Sequence, residues 1–179
     1  QAARLASIAI DRHMAIDKLR DNEERWQFAL EGSGEGVWDW NIETGESLYS
    51  KRWKQMFGFA DDEIGNTSSE WSSRVHPDDL PKVMLAIQAH IDGEAPSIAT
   101  EYRMRCKDGS WLWTIGRGMV VSRSVDGGAL RLVGTNTDIS ERKRIEEALY
   151  EEKEFFHLIA ESIEDYIAVL DLEGRRLYN

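Results

Sequence analysis

Apolar positions change period along this chain, and each change marks an expected element. Up to about residue 30, Leu5, Ile8, Arg12, Ala15, Leu19 and Trp26 fall near heptad spacing, a seam that polar Arg12 and Asn22 interrupt, so the spacing predicts a helix. Val37–Ile42 and Ser47–Tyr49 read as strands, and Thr44-Gly45 between them turns a hairpin. From residue 51 the period becomes helical: Trp53, Met56 and Phe57 share a face before Gly58. Asp61-Asp62-Glu63-Ile64 suits a short turn of helix. A longer helix is predicted to start at His76-Pro77-Asp78-Asp79, with Leu80, Val83, Met84, Ile87 and Ile91 as its apolar stripe and Gly93 as its end. Ile98–Cys106, Trp111–Val121 and Leu130–Ile139 return to period two, joined by Asp108-Gly109 and Asp126-Gly127-Gly128. In the first of these, Tyr102, Met104 and Cys106 share one face, and Glu101, Arg103 and Arg105 the other. Two strands, short helices and three strands predict an α+β architecture, a five-stranded antiparallel sheet with helices packed on one face.

The last strand runs without a loop into a helix. Ser140 suits an N-cap and Glu141 the positive end of the helix dipole, and nothing breaks a helix before about Ile163. Such a helix is roughly 36 Å long at 1.5 Å per residue. Ile145, Leu149, Phe156 and Ile159 form a thin apolar seam, with Glu152 its polar interruption. The stripe either pairs with a second copy in a parallel dimer, the preferred reading, or folds back on the sheet. The same two options, a neighbouring surface or a coiled coil, stand open for the N-terminal helix.

Charge narrows the partners. Among 179 residues, 33 Asp and Glu outweigh 22 Lys and Arg, a net charge of −11. Nucleic acid and an anionic membrane both need clustered cations, so neither is expected as a partner. A single cysteine, Cys106, allows no internal disulfide and no thiolate zinc site, which fits a cytoplasmic setting. No apolar run approaches the length of a membrane span. Gly32-Ser33-Gly34-Glu35-Gly36 follows a helix and carries no Lys, so it reads as a hinge rather than a phosphate loop.

The chain also repeats. Trp26, Asn41, Gly45 and Tyr49 correspond to Phe156, Asp171, Gly174 and Tyr178, at offsets of 130, 130, 129 and 129. With Gln1 at one end and Asn179 in an apparent strand at the other, a piece of a longer tandem array is expected.

Glu101-Tyr102-Arg103, Lys107-Asp108-Gly109 with Trp113, Gly134 and Asp138-Ile139-Ser140-Glu141-Arg142 together resemble the PAS sensory domain with its C-terminal PAC motif. His76-Pro77-Asp78-Asp79 and Trp38-Asp39-Trp40 match the same branch, the one known as PAS fold-3, and Ser140 stands where that motif usually has Thr. Residues 1–23, through Leu5 to Ile10, resemble the last helix of a GAF domain. The domains expected are therefore a linker helix over 1–23, a PAS/PAC domain over 24–139, a connecting signalling helix over 140–163 and the start of a second PAS domain over 164–179. The resemblance implies a fold of five antiparallel strands with short helices on one face, flanked by long N- and C-terminal helices. It also implies signalling through flanking helices in a homodimer, and neighbouring GAF, PAS and output domains in the same chain. By analogy alone, the output is a cyclic di-GMP synthase (GGDEF) or phosphodiesterase (EAL) ahead of a two-component histidine kinase.

Relay from sheet to helix falls to Asp138, Ile139, Ser140 and Arg142, with Asp138 the central coupling residue. No catalytic constellation stands out, and no enzyme activity is expected of this segment. No cofactor is favoured. The cysteinyl-flavin branch needs a cysteine between residues 51 and 93, where there is none. In haem-binding members a histidine precedes the terminal Gly by about eleven residues, and Lys82 stands there. His90 is expected as an exposed helical histidine, and His76, Asp78 and Asp79 as a helix start rather than a metal site. Trp38, Trp53, Phe57, Tyr102, Met104 and Trp113 are the candidate lining of a small-molecule pocket, with plain core as the competing reading. Two functions compete, a non-catalytic sensory relay and dimerisation module or a receptor holding a specific small molecule between sheet and helices, and a purely structural spacer is a third reading.

Overall fold

The computed structural model describes Gly32 and residues 34–162. The expected N-terminal helix with its GAF-like end, and the start of a second repeat, lie outside the described residues. Five strands form one sheet: β1 (Gly36–Asn41), β2 (Ser47–Tyr49), β3 (Ile98–Arg105), β4 (Trp111–Arg123) and β5 (Ala129–Asp138). All pairs are antiparallel, in the order β2-β1-β5-β4-β3. Between β2 and β3 come α1 (Lys51–Met56), α2 (Ser68–Ser72) and α3 (Leu80–Ile91). The α+β sheet-and-helix arrangement is the one the alternating pattern predicts.

Period two decides which face is buried. On β3, Ile98, Thr100, Tyr102 and Met104 are buried, while Ala99 and Arg105 are exposed. Trp53 and Phe57 of the α1 region join Met104 and Leu132 as fully buried core, with Ile64, Val75 and Val83 close around them. Register is pinned at the tight turn, where Gly109 sits at φ 86° and Asp108 Oδ1 accepts the Ser110 amide at 2.9 Å.

Two local expectations fail for one reason, competition by a side chain for backbone groups. Asp61–Ile64 forms a turn, not helix: Glu63 reaches back to the Ala60 amide at 2.8 Å and pairs with Lys107 at 2.5 Å. The long helix begins at Leu80 rather than His76. Asp79, at its N-cap, gives its carboxylate to Arg103 instead of to its own helix, meeting Arg103 N, Nε and Nη2 at 2.9, 2.9 and 2.8 Å. That bidentate pair holds the Asp79 carboxyl below the usual carboxylate range.

His90 is not the exposed helical histidine expected. It is 6% exposed and bridges α3 to the sheet. The Val120 amide donates to Nε2 at 2.9 Å, so Nδ1 carries the proton and donates to the Ala95 carbonyl at 2.7 Å.

Internal contacts divide the chain after Ile139. The second unit contains α4 (Ser140–Ser162), 23 residues and about 35 Å at 1.5 Å per residue. Ion pairs lace its first turns: Glu141 with Arg144 at 2.9 Å, and Glu146 with Arg142 at 3.0 Å and Lys143 at 2.9 Å. Ile145, Leu149 and Phe156 of the predicted seam are exposed, and Ile159 is half-buried.

Candidate functional site

A cavity of about 170 Å³ lies between the inner sheet face and the helices α2 and α3. Its walls are Trp38 and Trp40 of β1, Ser47 and Tyr49 of β2, Ser68, Trp71 and Ser72 of α2, Val83, Met84 and Ile87 of α3, Ile98, Thr100 and Tyr102 of β3, Gly116 of β4 and Leu132 of β5. No charged side chain lines it.

Glycines make this room. Trp38, Gly134 and Gly118 stand in one cross-strand row. A Cβ on Gly118 would lie 2.5 Å from Trp38 Cη2, and one on Gly134 would overlap the same indole. The ring therefore lies flat across two strands, because neither neighbour has a side chain. In the next inward row, a Cβ on Gly116 would come within 2.9 Å of the Tyr102 ring, and one on Gly36 within 2.6 Å of Trp53.

Behind the cavity runs a buried polar network. Trp53 Nε1 donates to Asn136 Oδ1 at 3.1 Å. Indole N–H can only donate, so the Asn136 oxygen must face it and the amide NH2 must face the other way. That NH2 donates to Tyr102 Oη at 2.9 Å and to Thr114 Oγ1 at 3.2 Å. Thr114 Oγ1 donates in turn to the Thr137 carbonyl at 3.0 Å. From the cavity side, Trp71 Nε1 donates to Tyr102 Oη at 3.1 Å. Asn136 and Thr114 have no exposed surface at all, so these bonds replace water completely. Burial pushes the Tyr102 phenol above its ordinary pKa, and that of Tyr49 up to about 12. Tyr49 Oη donates to the Thr67 carbonyl at 2.9 Å.

Not every polar atom is so served. Trp40 and Thr100 both line the cavity, and Trp40 Nε1 and Thr100 Oγ1 are buried with no hydrogen-bond partner among the described residues.

Of the six residues predicted to line a pocket, Trp38 and Tyr102 do. Trp53, Phe57 and Met104 are fully buried core beside the cavity, not part of its wall. Trp113 lies on the opposite face of the sheet: it pairs with Arg103, whose guanidinium sits 5.4 Å from its ring centre. The register explains this. Counting back from Asp108-Gly109, Trp113 must share the face of Arg103, not that of Tyr102. Sequence reasoning missed Trp40, Trp71, Thr100 and Asn136. A signal was present in Gly116, Gly118 and Gly134, since glycines inside strands mark the close approach of something flat.

At the junction expected to act as a relay, Asp138 ends β5 opposite Thr114. Ile139 is 8% exposed, and its amide donates to the Trp113 carbonyl at 2.9 Å. Ser140 opens α4, and Arg142 pairs with Glu146. His76 and Asp79 are engaged in the loop before α3: the His76 amide donates to the Arg103 carbonyl at 2.8 Å, and its Nδ1 accepts the Asp78 amide at 3.2 Å. Among the described residues no cluster of His, Cys, Asp and Glu has the makings of a metal site.

Residues 47–136 match a family model described as PAS fold. A solved sensory box histidine kinase/response regulator from Burkholderia thailandensis is 34% identical, with a TM-score of 0.66 over 74% of this chain and 98% of that one. A probable diguanylate cyclase, DgcE of Escherichia coli, is 28% identical over 149 residues, 83% of this chain but 13% of that protein. The sensor protein FixL of Bradyrhizobium diazoefficiens is 26% identical over 151 residues, 84% of this chain and 29% of that protein. The chain thus spans less than a third of either of these two relatives.

Proposed function

This chain belongs to the PAS fold family, and on that premise we propose that it is a sensory relay and dimerisation module within a longer signal-transduction protein. As a PAS sensory domain it is a signal-sensing segment without catalysis of its own. In this reading a change at the cavity wall alters β5. The strand then shifts the balance between two arrangements of the helix that follows, through Asp138, Ile139, Ser140 and Arg142. Any input must bind those arrangements differently, or it moves nothing. The observation that carries the reading is the buried chain from Trp71 through Tyr102, Asn136 and Thr114 to the Thr137 carbonyl. It starts at the cavity and ends three residues before Ser140.

The exposed seam residues Ile145, Leu149 and Phe156 support self-association through α4. We assign the expected GAF-like helix, signalling helix and second PAS segment to a tandem array on the same grounds of motif and repeat. For the output, cyclic di-GMP turnover is preferred over phosphotransfer; the likeness to DgcE supports it, and that to the Burkholderia kinase points to the runner-up.

A second reading has its own support. The unpartnered Trp40 Nε1 and Thr100 Oγ1 favour a receptor that holds a small molecule in the cavity. Both readings share one test. Asp138→Ala in the full-length protein should uncouple output activity from its stimulus while the melting temperature of this domain barely moves. Regulation identical to wild type would leave only a spacer.

A further inference from the structure

The cavity's own chemistry narrows what it can hold. This step rests on the receptor reading above, and it concerns the class of ligand. Size comes first. An engineered cavity of about 150 Å³ is known to take up benzene, whereas drug-sized ligands occupy roughly 300–1,000 Å³. A volume of about 170 Å³ therefore suits one ring with a short substituent, not an extended cofactor. Shape comes second. Trp38, Trp40, Trp71, Tyr49 and Tyr102 supply flat walls, with Trp38 laid down over Gly118 and Gly134, so the space favours a planar guest.

Charge comes third. Asp, Glu, Lys, Arg and His are all absent from the lining, so an ion entering would lose its water with no counter-charge. Hydrogen bonding comes last, and it is the most specific. Trp40 Nε1 can only donate. Thr100, 8% exposed, has an idle hydroxyl. The Tyr102 oxygen already receives two N–H groups, from Trp71 and Asn136, which leaves its own hydrogen without an acceptor among the described residues. The idle groups are donors or can act as donors, and no protein acceptor meets them. Thr100 and Tyr102 stand two apart on the same face of β3, so both can serve one polar end of a guest.

We propose that the cavity binds an uncharged, planar, single-ring molecule carrying at least one hydrogen-bond acceptor, held by Trp40, Thr100 and Tyr102. Alkyl aryl ketones, aryl amides and aryl esters have this chemistry; carboxylates and amines ionised at neutral pH do not.

The probes are acetophenone, benzoate and benzylammonium, which share a ring and differ in charge. Each is titrated into this chain labelled with ¹⁵N, and the indole N–H signals of Trp40 and Trp71 are followed. Acetophenone is expected to move the Trp40 signal with a Kd of about a millimolar, the range for so small a guest. The two ions are expected to bind at least about a hundredfold more weakly. Thr100→Val preserves shape, whereas Trp40→Phe removes the indole N–H together with part of the ring; each should weaken acetophenone about fivefold, the worth of one hydrogen bond, and Thr100→Val is the cleaner of the two. Their melting temperatures report whether the fold survives. If either ion moves the cavity signals at lower concentration than acetophenone, the ligand class is wrong and the receptor reading stands. Unchanged affinity in both variants would likewise overturn the acceptor requirement. If none of the three probes reaches the Trp40 and Trp71 signals, the receptor reading falls together with this one.

Discussion

Asn136 of β5 and Trp53 of α1 are 83 residues apart in sequence, yet they meet through a 3.1 Å hydrogen bond in the dry core. That contact makes the central strand of the sheet and the first helix read the same side-chain amide. Asn136→Leu keeps the volume but strands the Trp53 indole N–H and removes a donor from both Tyr102 and Thr114. Each buried polar group left unsatisfied costs about 1–3 kcal/mol. We expect a loss of about 3 kcal/mol in urea unfolding, with an unchanged m-value. A loss under about 1 kcal/mol would mean that the network adds nothing to stability.

The row Trp38–Gly134–Gly118 gives a sharper test, because its two glycines fail differently. On Gly118 a new Cβ would meet mainly the Trp38 ring, with the Val133 carbonyl next at 3.3 Å. On Gly134 it would meet the Arg117 carbonyl as well as the ring. Gly118→Ala should therefore be partly rescued by Trp38→Ala, whereas Gly134→Ala should not. Double-mutant cycles on thermal unfolding measure the coupling, expected at about 1–2 kcal/mol for the first pair and near zero for the second.

Acid should act through Asp79. Arg103 lowers its carboxyl pKa in the folded protein, so the folded state binds that proton less readily than the unfolded chain does. The pair's contribution is fully present above the unfolded carboxylate value of about 3.9 and is lost as pH falls through the lower folded value. In Asp79→Asn, stability at pH 7 should drop, and the part of the acid-induced decline below about pH 4 that belongs to this group should vanish. Chemical denaturation at pH 7, 4 and 2.5 would check both.

His90 ties the end of α3 to the β4 bulge region near Val120. His90→Leu fills the same space but leaves the Val120 amide and the Ala95 carbonyl unpaired. A destabilisation of about 1–3 kcal/mol is expected. Amide exchange at Val120 should speed up well before exchange at Met104, which pairs with Leu112 at the far end of the β3–β4 ladder.

Much of this architecture was legible in the chain. The hairpin pattern of residues 37–49 placed two strands, and period-two alternation from Ile98 onward, with Asp108-Gly109 as a fixed turn, placed the other three and one buried face. What the pattern could not show was where side chains compete with the backbone. Asp79 looked like a first-turn carboxylate of a helix begun at His76 and instead sits at the N-cap with its carboxylate on Arg103, and Glu63 looked like part of a helix start and closed a turn. The cavity was harder still. Aromatic residues mark a core but not its empty space, and Trp113 went to the wrong face because register, not composition, decides sides. Asn136 gave no signal, since a polar residue in a strand reads as exposed until its partners are known.

The proposed self-association has a direct handle in Leu149, 51% exposed on α4. Leu149→Glu puts a charge in the seam and should turn a dimer of this chain into a monomer by sedimentation, with the fold of the sheet domain intact. A wild-type chain that sediments as a monomer at hundred-micromolar concentration would contradict dimerisation through this helix.

The central claim is that a change at the cavity wall reaches the end of β5 through bonds, not through contact. Tyr102→Phe removes one oxygen atom and keeps the ring. Its ¹H–¹⁵N spectrum, compared with wild type, asks the question most directly. The account expects the Thr137 and Ile139 amides to move along with those around Asn136 and Thr114. Shifts confined to β3 and α2, with the Thr137, Ile139 and Ser140 signals unmoved, would contradict it.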